Sequence, residues 1–133
     1  MPLFEWDDKY SVKNRTMDSH HQKIFDILNT IHDATKEGRG ELIIEATLNE
    51  LYSYTRYHFD EEEKLMVQAN YPQLEAQRQA HTAFMNRIAE FQDEVAKGNA
   101  LFVVSNVAVT VKDWLKSHIL TMDMQYEDYL KDL

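Results

Sequence analysis

The chain contains no cysteine, and its 133 residues include only three glycines and two prolines. Without thiols there can be no disulfides, thiolate-bound zinc or iron–sulfur clusters. Scarce glycine and proline leave long stretches without a breaker, which argues for helices joined by short loops and against a β-rich fold. No run of about 18 apolar residues occurs, so no membrane span is expected. The opening Met-Pro-Leu-Phe-Glu-Trp has no basic region followed by an apolar one. It therefore does not read as a signal peptide, and a reducing cytoplasm is the expected compartment. Positive charge is also in short supply, with 14 Lys and Arg against 23 Asp and Glu and a net charge of −9. That disfavours nucleic acid, which needs a basic patch, and no nucleic-acid partner is expected. The length suits one domain with one core.

What is present is helical periodicity in four blocks. Residues 1–17 carry Phe4, Trp6, Tyr10 and Val12 without regular spacing and read as an ordered arm packed across the bundle. A first helix is expected over about 18–37, capped by Asp18, with Ile24, Phe25, Ile27, Leu28 and Ile31 inward and Gly38-Arg39-Gly40 as its end. A second runs over about 41–69, with Leu48, Leu51, Thr55, His58, Glu62, Leu65 and Ala69 inward. A third, about 72–97, follows Tyr71-Pro72. Its seam of Leu74, Gln77, His81, Phe84, Ile88, Phe91 and Val95 alternates three and four. The fourth, about 101–120, begins rich in valine, but spacing and length favour a helix over a strand. A short helical piece is expected over 125–133. The fold class is an all-α, up-down-up-down antiparallel four-helix bundle in a single domain.

The polar residues on the inner faces carry the chemistry. His58 and Glu62 stand four apart, which stacks them on the face where the leucines point. A carboxylate there needs a positive partner, and a metal ion is one. Measured from the loops at one end, His21 precedes Glu37 by 16 residues and His58 follows Glu41 by 17. His81 precedes Lys97 by 16, and His118 follows Leu101 by 17. At 1.5 Å per residue all four lie at about 24–26 Å, one per helix, in one layer. Glu62 and Gln77 come one turn above, and Asp123 close beyond. Asp123 is five residues past His118, so the fourth helix is expected to loosen or end between them. His20 shares the layer out of phase with His21 and is expected behind the ligands or exposed; spacing alone does not choose between the two. His32 lies about 16 Å away along the axis and reads as an ordinary histidine. Imidazole and carboxylate without thiolate suit iron, manganese or zinc, and two carboxylates suit a bridged pair of ions. The bland alternative, a hydrogen-bonded network without metal, would bury charge at greater cost than a neutral core.

These motifs in this order resemble the hemerythrin family, specifically its single-domain bacterial members. Phe4-Glu-Trp6 and Tyr10-Ser-Val12 look like the family's arm, and Asp18-Ser-His20-His21 like its first ligand motif, which selects His21. His58 to Met66 matches HxxxE, and Trp114 to Asp123 matches HxxxxD. The third motif departs from the pattern, because Gln77 stands where a ligand histidine is expected. The resemblance implies two iron ions with an oxo or hydroxo bridge. One is held by His21 and His58, the other by His81, His118 and the residue at 77, and Glu62 and Asp123 bridge them. It implies reversible binding of O2 at the two-histidine iron, with no substrate turned over. Phe59, Trp114, Leu115 and Ile119 lie beside the expected ligands and are read as the apolar walls of the oxygen pocket and equally as core. The expected role is oxygen storage, delivery or sensing. If position 77 leaves an open site, a diiron peroxidase or nitric-oxide-handling enzyme is the alternative. A sensory module cut from a longer chain ranks lower, because the arm and C-terminal piece look complete. The last readings are iron storage or a metal-free bundle. Tyr54, Tyr57, Tyr126 and Tyr129 are read as structural, and protein partners are not legible.

Overall fold

The computed structural model describes residues 3–131 and 133. Met1 and Pro2 of the expected arm, and Asp132 of the expected C-terminal piece, lie outside the described residues. Four long helices dominate: α1 (Arg15–Lys36), α2 (Gly40–Gln68), α3 (Leu74–Ala96) and α4 (Ala100–Thr121). A 3-10 turn over Asp8–Tyr10 precedes them, another over Asp123–Tyr126 follows, and a last turn of helix, α5 (Glu127–Leu130), ends the chain. Among the described residues there is no strand. The connections are short, so sequential helices lie antiparallel, with α1 against α2 and α4, and α3 against α2 and α4.

Each connection between the long helices carries a residue in the left-handed region one position past the helix's last cap. Gly38 has φ 75° and Gly98 φ 93°, while Asn70 takes φ 55° after α2. The backbone N–H of the residue that follows then reaches back: Arg39 to Ala34 O at 2.7 Å, Asn99 to Glu94 O at 2.9 Å, and Tyr71 to Met66 O at 2.9 Å. This closes orphan carbonyls at three helix ends. Gly40 does not end α1 as expected. It opens α2, where a Cβ would come within 2.5 Å of Val104 Cγ1, so the helix starts pack closely only because that atom is missing.

Two boundaries differ from expectation. α1 starts at Arg15, not Asp18, because Asn14 is the cap: its Oδ1 accepts from Met17 N at 3.0 Å. Asp18 lies within the first turn and holds the arm instead, accepting from Val12 N at 2.9 Å and Ser11 Oγ at 2.6 Å. α3 starts at Leu74 rather than Pro72, since Tyr71 to Gln73 form the turn. On α2 the inner face continues through Met66 rather than Leu65, which is only half-buried. The arm packs as expected: Phe4 stacks on Phe25 with centroids 3.6 Å apart, and its backbone exchanges hydrogen bonds with Asn29.

The core divides in two. A large apolar cluster runs from Phe4 and Phe25 through Phe59, Leu115 and Ile119 toward the Gly38 and Gly98 end. A smaller one joins Val12, Met17, Met66, Tyr71, Tyr126 and Leu130 at the other end. Between them lies a layer of buried polar side chains.

Candidate metal centre

Each of the four long helices contributes to that layer. α1 supplies His21, α2 His58 and Glu62, α3 Gln77 and His81, and α4 His118; Asp123 comes from the turn after α4. None of the seven is more than 5% exposed. The end of α4 decides whether Asp123 can join. The helix stops at Thr121, Met122 N donates to His118 O at 2.8 Å, and the chain tightens into the 3-10 turn. Tightening brings Asp123 Oδ1 to 3.1 Å from His118 Nε2, a contact that a spacing of five denies to an ideal helix.

Ligand atoms gather into two groups, His21–His58–Glu62 and Glu62–His81–His118, each with its atoms within 4.8 Å of one another. Glu62 belongs to both and divides its oxygens between them. Oε1 lies 3.0 Å from His81 Nε2, while Oε2 lies 3.4 Å from His58 Nε2 and 3.8 Å from His21 Nε2. Asp123 divides in the same sense, with Oδ1 facing His118 and Oδ2 3.3 Å from His21 Nε2. Both carboxylates thus straddle the two histidine pairs.

These distances are not a satisfied hydrogen-bond network. Both ring nitrogens of His21, the Nε2 atoms of His81 and His118, Glu62 Oε1, Gln77 Oε1 and Asp123 Oδ2 are buried without an aligned partner. Each such atom costs about 1–3 kcal/mol if left so. Nitrogens and oxygens that approach one another off line, around shared points, are arranged for cations between them. Nitrogen and oxygen donors without sulfur fit iron.

Around this centre runs a ring of aligned contacts. Tyr126 OH donates to Glu62 Oε2 at 2.8 Å, and Gln77 Nε2 donates to Asp123 Oδ1 at 3.0 Å. His81 Nδ1 meets Glu63 Oε2 at 2.7 Å, and His58 Nδ1 meets His20 Nδ1 at 2.9 Å. Hydrogen bonds of this kind fix the tautomer and ring angle of a ligating histidine.

Electrostatics follow from burial and from who faces whom. Burial opposes charge on His21, but Asp123 and Glu62 beside it overcome that and raise it to about 9. Burial lowers His58, which faces one carboxylate and repels His21. Burial also pushes Glu62 up, yet the imidazoles of His58, His21 and His81 hold it well below the usual carboxylate range. Burial and Glu62 push Asp123 up, and His118 and His21 outweigh them. Tyr126 is driven well above its ordinary value by burial and by the two acids. Without metal, the layer keeps two carboxylates ionised by holding a proton on imidazole.

Apolar side chains close the layer. Phe59 stacks on His81 at 3.8 Å and 5°, and Trp114 stacks on His118 at 4.5 Å and 13°. Leu115 and Ile119 lie in the large cluster with Phe59. Trp114 also reaches the surface, in a groove of about 350 Å³ between α3 and α4.

The model of the Hemerythrin HHE cation binding domain matches residues 12–130. The chain belongs to the hemerythrin family. It is 30% identical to a bacteriohemerythrin of Stenotrophomonas maltophilia over 131 residues, 98% of this chain and 84% of that one. It is 32% identical to a hemerythrin of Sipunculus nudus over 128 residues, 96% and 93% of the two chains. The crystal structure of a wild-type hemerythrin superposes with a TM-score of 0.85 at 27% identity, covering 97% of this chain and 98% of that one. This hemerythrin is thus a diiron O2-binding protein by family, and its fold is the family's four-helix bundle. No helix among the described residues is long and apolar enough to cross a membrane.

All seven sequence-predicted ligand positions come together. His32 stays half-buried outside the layer. Two contributors escape a reading of the sequence. Glu63, one residue past Glu62, falls off the apolar stripe and does not stand out. Tyr126 reads as structural, although its spacing of three from Asp123 is a signal. Of the two places expected for His20, behind the ligands or exposed, the structure takes the first: it is buried against His58.

Proposed function

We propose that two iron ions occupy the layer with an oxo or hydroxo bridge and that the protein binds O2 reversibly. His21 and His58 would hold one ion, His81 and His118 with Gln77 the other, and Glu62 and Asp123 would bridge them. The observation that carries this reading is Glu62, whose two oxygens face different histidine groups. Bound there, the iron pair would supply the electrons that O2 binding takes up and release returns.

The chain's own part is positioning and exclusion of water. Tyr126 and Gln77 each donate to one bridging acid and so fix its plane. Phe59, Leu115, Ile119 and Trp114 are the walls we assign to the oxygen pocket. A dry wall would keep water and its protons away from the centre. Storage, delivery or sensing of oxygen are all uses of this one chemistry.

One observation favours a second reading. Gln77 turns its N–H toward Asp123 and leaves its oxygen without a partner, so it gives the His81 side no imidazole. An open position there suits a diiron peroxidase or nitric-oxide-handling enzyme. Iron analysis with an optical spectrum in air and then after deoxygenation separates the readings. Two irons per chain and a visible band that bleaches and returns with O2 support reversible binding. Steady consumption of peroxide or nitric oxide with a reductant supports catalysis. Protein that retains no iron and shows no colour change with oxygen ends both.

A further inference from the structure

With glutamine at 77, both iron positions are left with two imidazoles each: His21 and His58 on one side, His81 and His118 on the other. What differs is what stands behind them. His81 turns Nδ1 to a carboxylate, Glu63 Oε2 at 2.7 Å, which leaves its Nε2 lone pair facing the centre. His58 turns Nδ1 to another imidazole, His20 Nδ1 at 2.9 Å. A carboxylate that accepts the Nδ1 proton pushes negative charge into the ring, and an imidazole partner, which carries no negative charge, pushes far less.

We propose that Glu63 is a positioning residue for the iron on the His81–His118 side, making His81 the stronger donor and offsetting the amide at 77. The proposal rests on the assignment of His81 and His118 to one iron. The geometry around Glu63 is built for this task. Its other oxygen is 3.3 Å from Arg78 Nε, which fixes the carboxylate from outside. It sits on a cleft of about 280 Å³ between α2 and α3 that also meets His81, Phe59, Arg56 and Asp60. With 22% of its side chain exposed, it keeps its charge partly hydrated while reaching a buried ring. Phe59 clamps that ring by parallel stacking, so the imidazole cannot rotate away from the acid. The two irons are thereby made unequal by their surroundings, and the carboxylate-backed one is the better site for the ferric state.

The test is a stepwise anaerobic titration of metal-free protein with Fe2+, followed by potentiometry of the loaded protein. The variants are Glu63→Gln, Glu63→Ala, Arg78→Ala and His118→Ala. Gln keeps an oxygen for the Nδ1 proton and removes only the charge. We expect Glu63→Gln to weaken one of two binding steps about tenfold, the step that His118→Ala abolishes. The midpoint of that iron should rise by about 59 mV for each tenfold by which ferric binding is weakened more than ferrous. Glu63→Ala should go further, and Arg78→Ala should leave both steps within about threefold. Helix content of each metal-free variant is the control, and Glu63→Asp, charged but too short to reach, replaces any variant that fails to fold. Two steps and two potentials unchanged in Glu63→Gln, or shifted equally, overturn the proposal alone. Wild-type protein that takes up a single ion overturns the ligand assignment and the proposal with it.

Discussion

Gln77 Nε2 donates to Asp123 Oδ1 at 3.0 Å, joining residues 46 positions apart across α3 and the turn after α4. The same oxygen faces His118 at 3.1 Å, so the amide occupies the acid's inner edge as a donor. An imidazole at 77 would present a lone pair there. Replacing Gln77 with His should therefore add a ligand and close the open position, slowing autoxidation of the oxygenated protein by about tenfold. The decay of its visible band in air measures this, and an unchanged rate would remove the idea that position 77 governs oxidation.

Glu62 belongs to both ligand groups. Glu62→Ala should abolish binding of both ions, whereas His58→Ala should spare the other site. Iron per chain after anaerobic loading and desalting distinguishes them. A Glu62→Ala protein that still retains two irons is incompatible with a shared ligand. Circular dichroism of the metal-free variants guards against loss of fold.

Tyr126 OH is fully buried and spends its proton on Glu62. Tyr126→Phe keeps the ring in the smaller apolar cluster and deletes only that donor. The charged acceptor left behind should cost about 1.5–3 kcal/mol in metal-free protein. Urea unfolding reads it, and a change below about 0.5 kcal/mol would mean that the hydroxyl is not bonded in solution.

Metal-free protein carries a proton on His21 up to about pH 9. A group raised above its ordinary value stabilises the fold fully below that value, about 6.5, and loses the contribution as pH climbs through 9. Metal-free protein should thus weaken between these limits on the alkaline side. Iron must displace the proton, so loading at pH 7 should release H+, and apparent affinity should fall as pH drops. A weakly buffered indicator during anaerobic Fe2+ addition records this. Loading with no proton release at pH 7 would contradict a charged His21.

Much of the centre is legible from sequence because helical rise is constant. Counting from Gly38 and Gly98 places His21, His58, His81 and His118 at one depth, whatever the packing between helices. Breaker scarcity and the three-four seam of α3 likewise require helices before any contact is known. Where counting fails, a competing local contact wins. Asn14 takes the cap expected of Asp18 because Asp18 is engaged by Val12 and Ser11.

Sequence alone determined which side chains share a depth, since that depends on residues per turn and on little else. Only the tertiary structure decided how each is turned: which oxygen of Glu62 faces which histidine, that Gln77 offers N–H rather than oxygen to Asp123, and that Glu63 and Tyr126 reach the layer from outside the stripe. Those choices depend on interhelical rotation and on the tightened turn after Thr121, and a one-dimensional period carries neither.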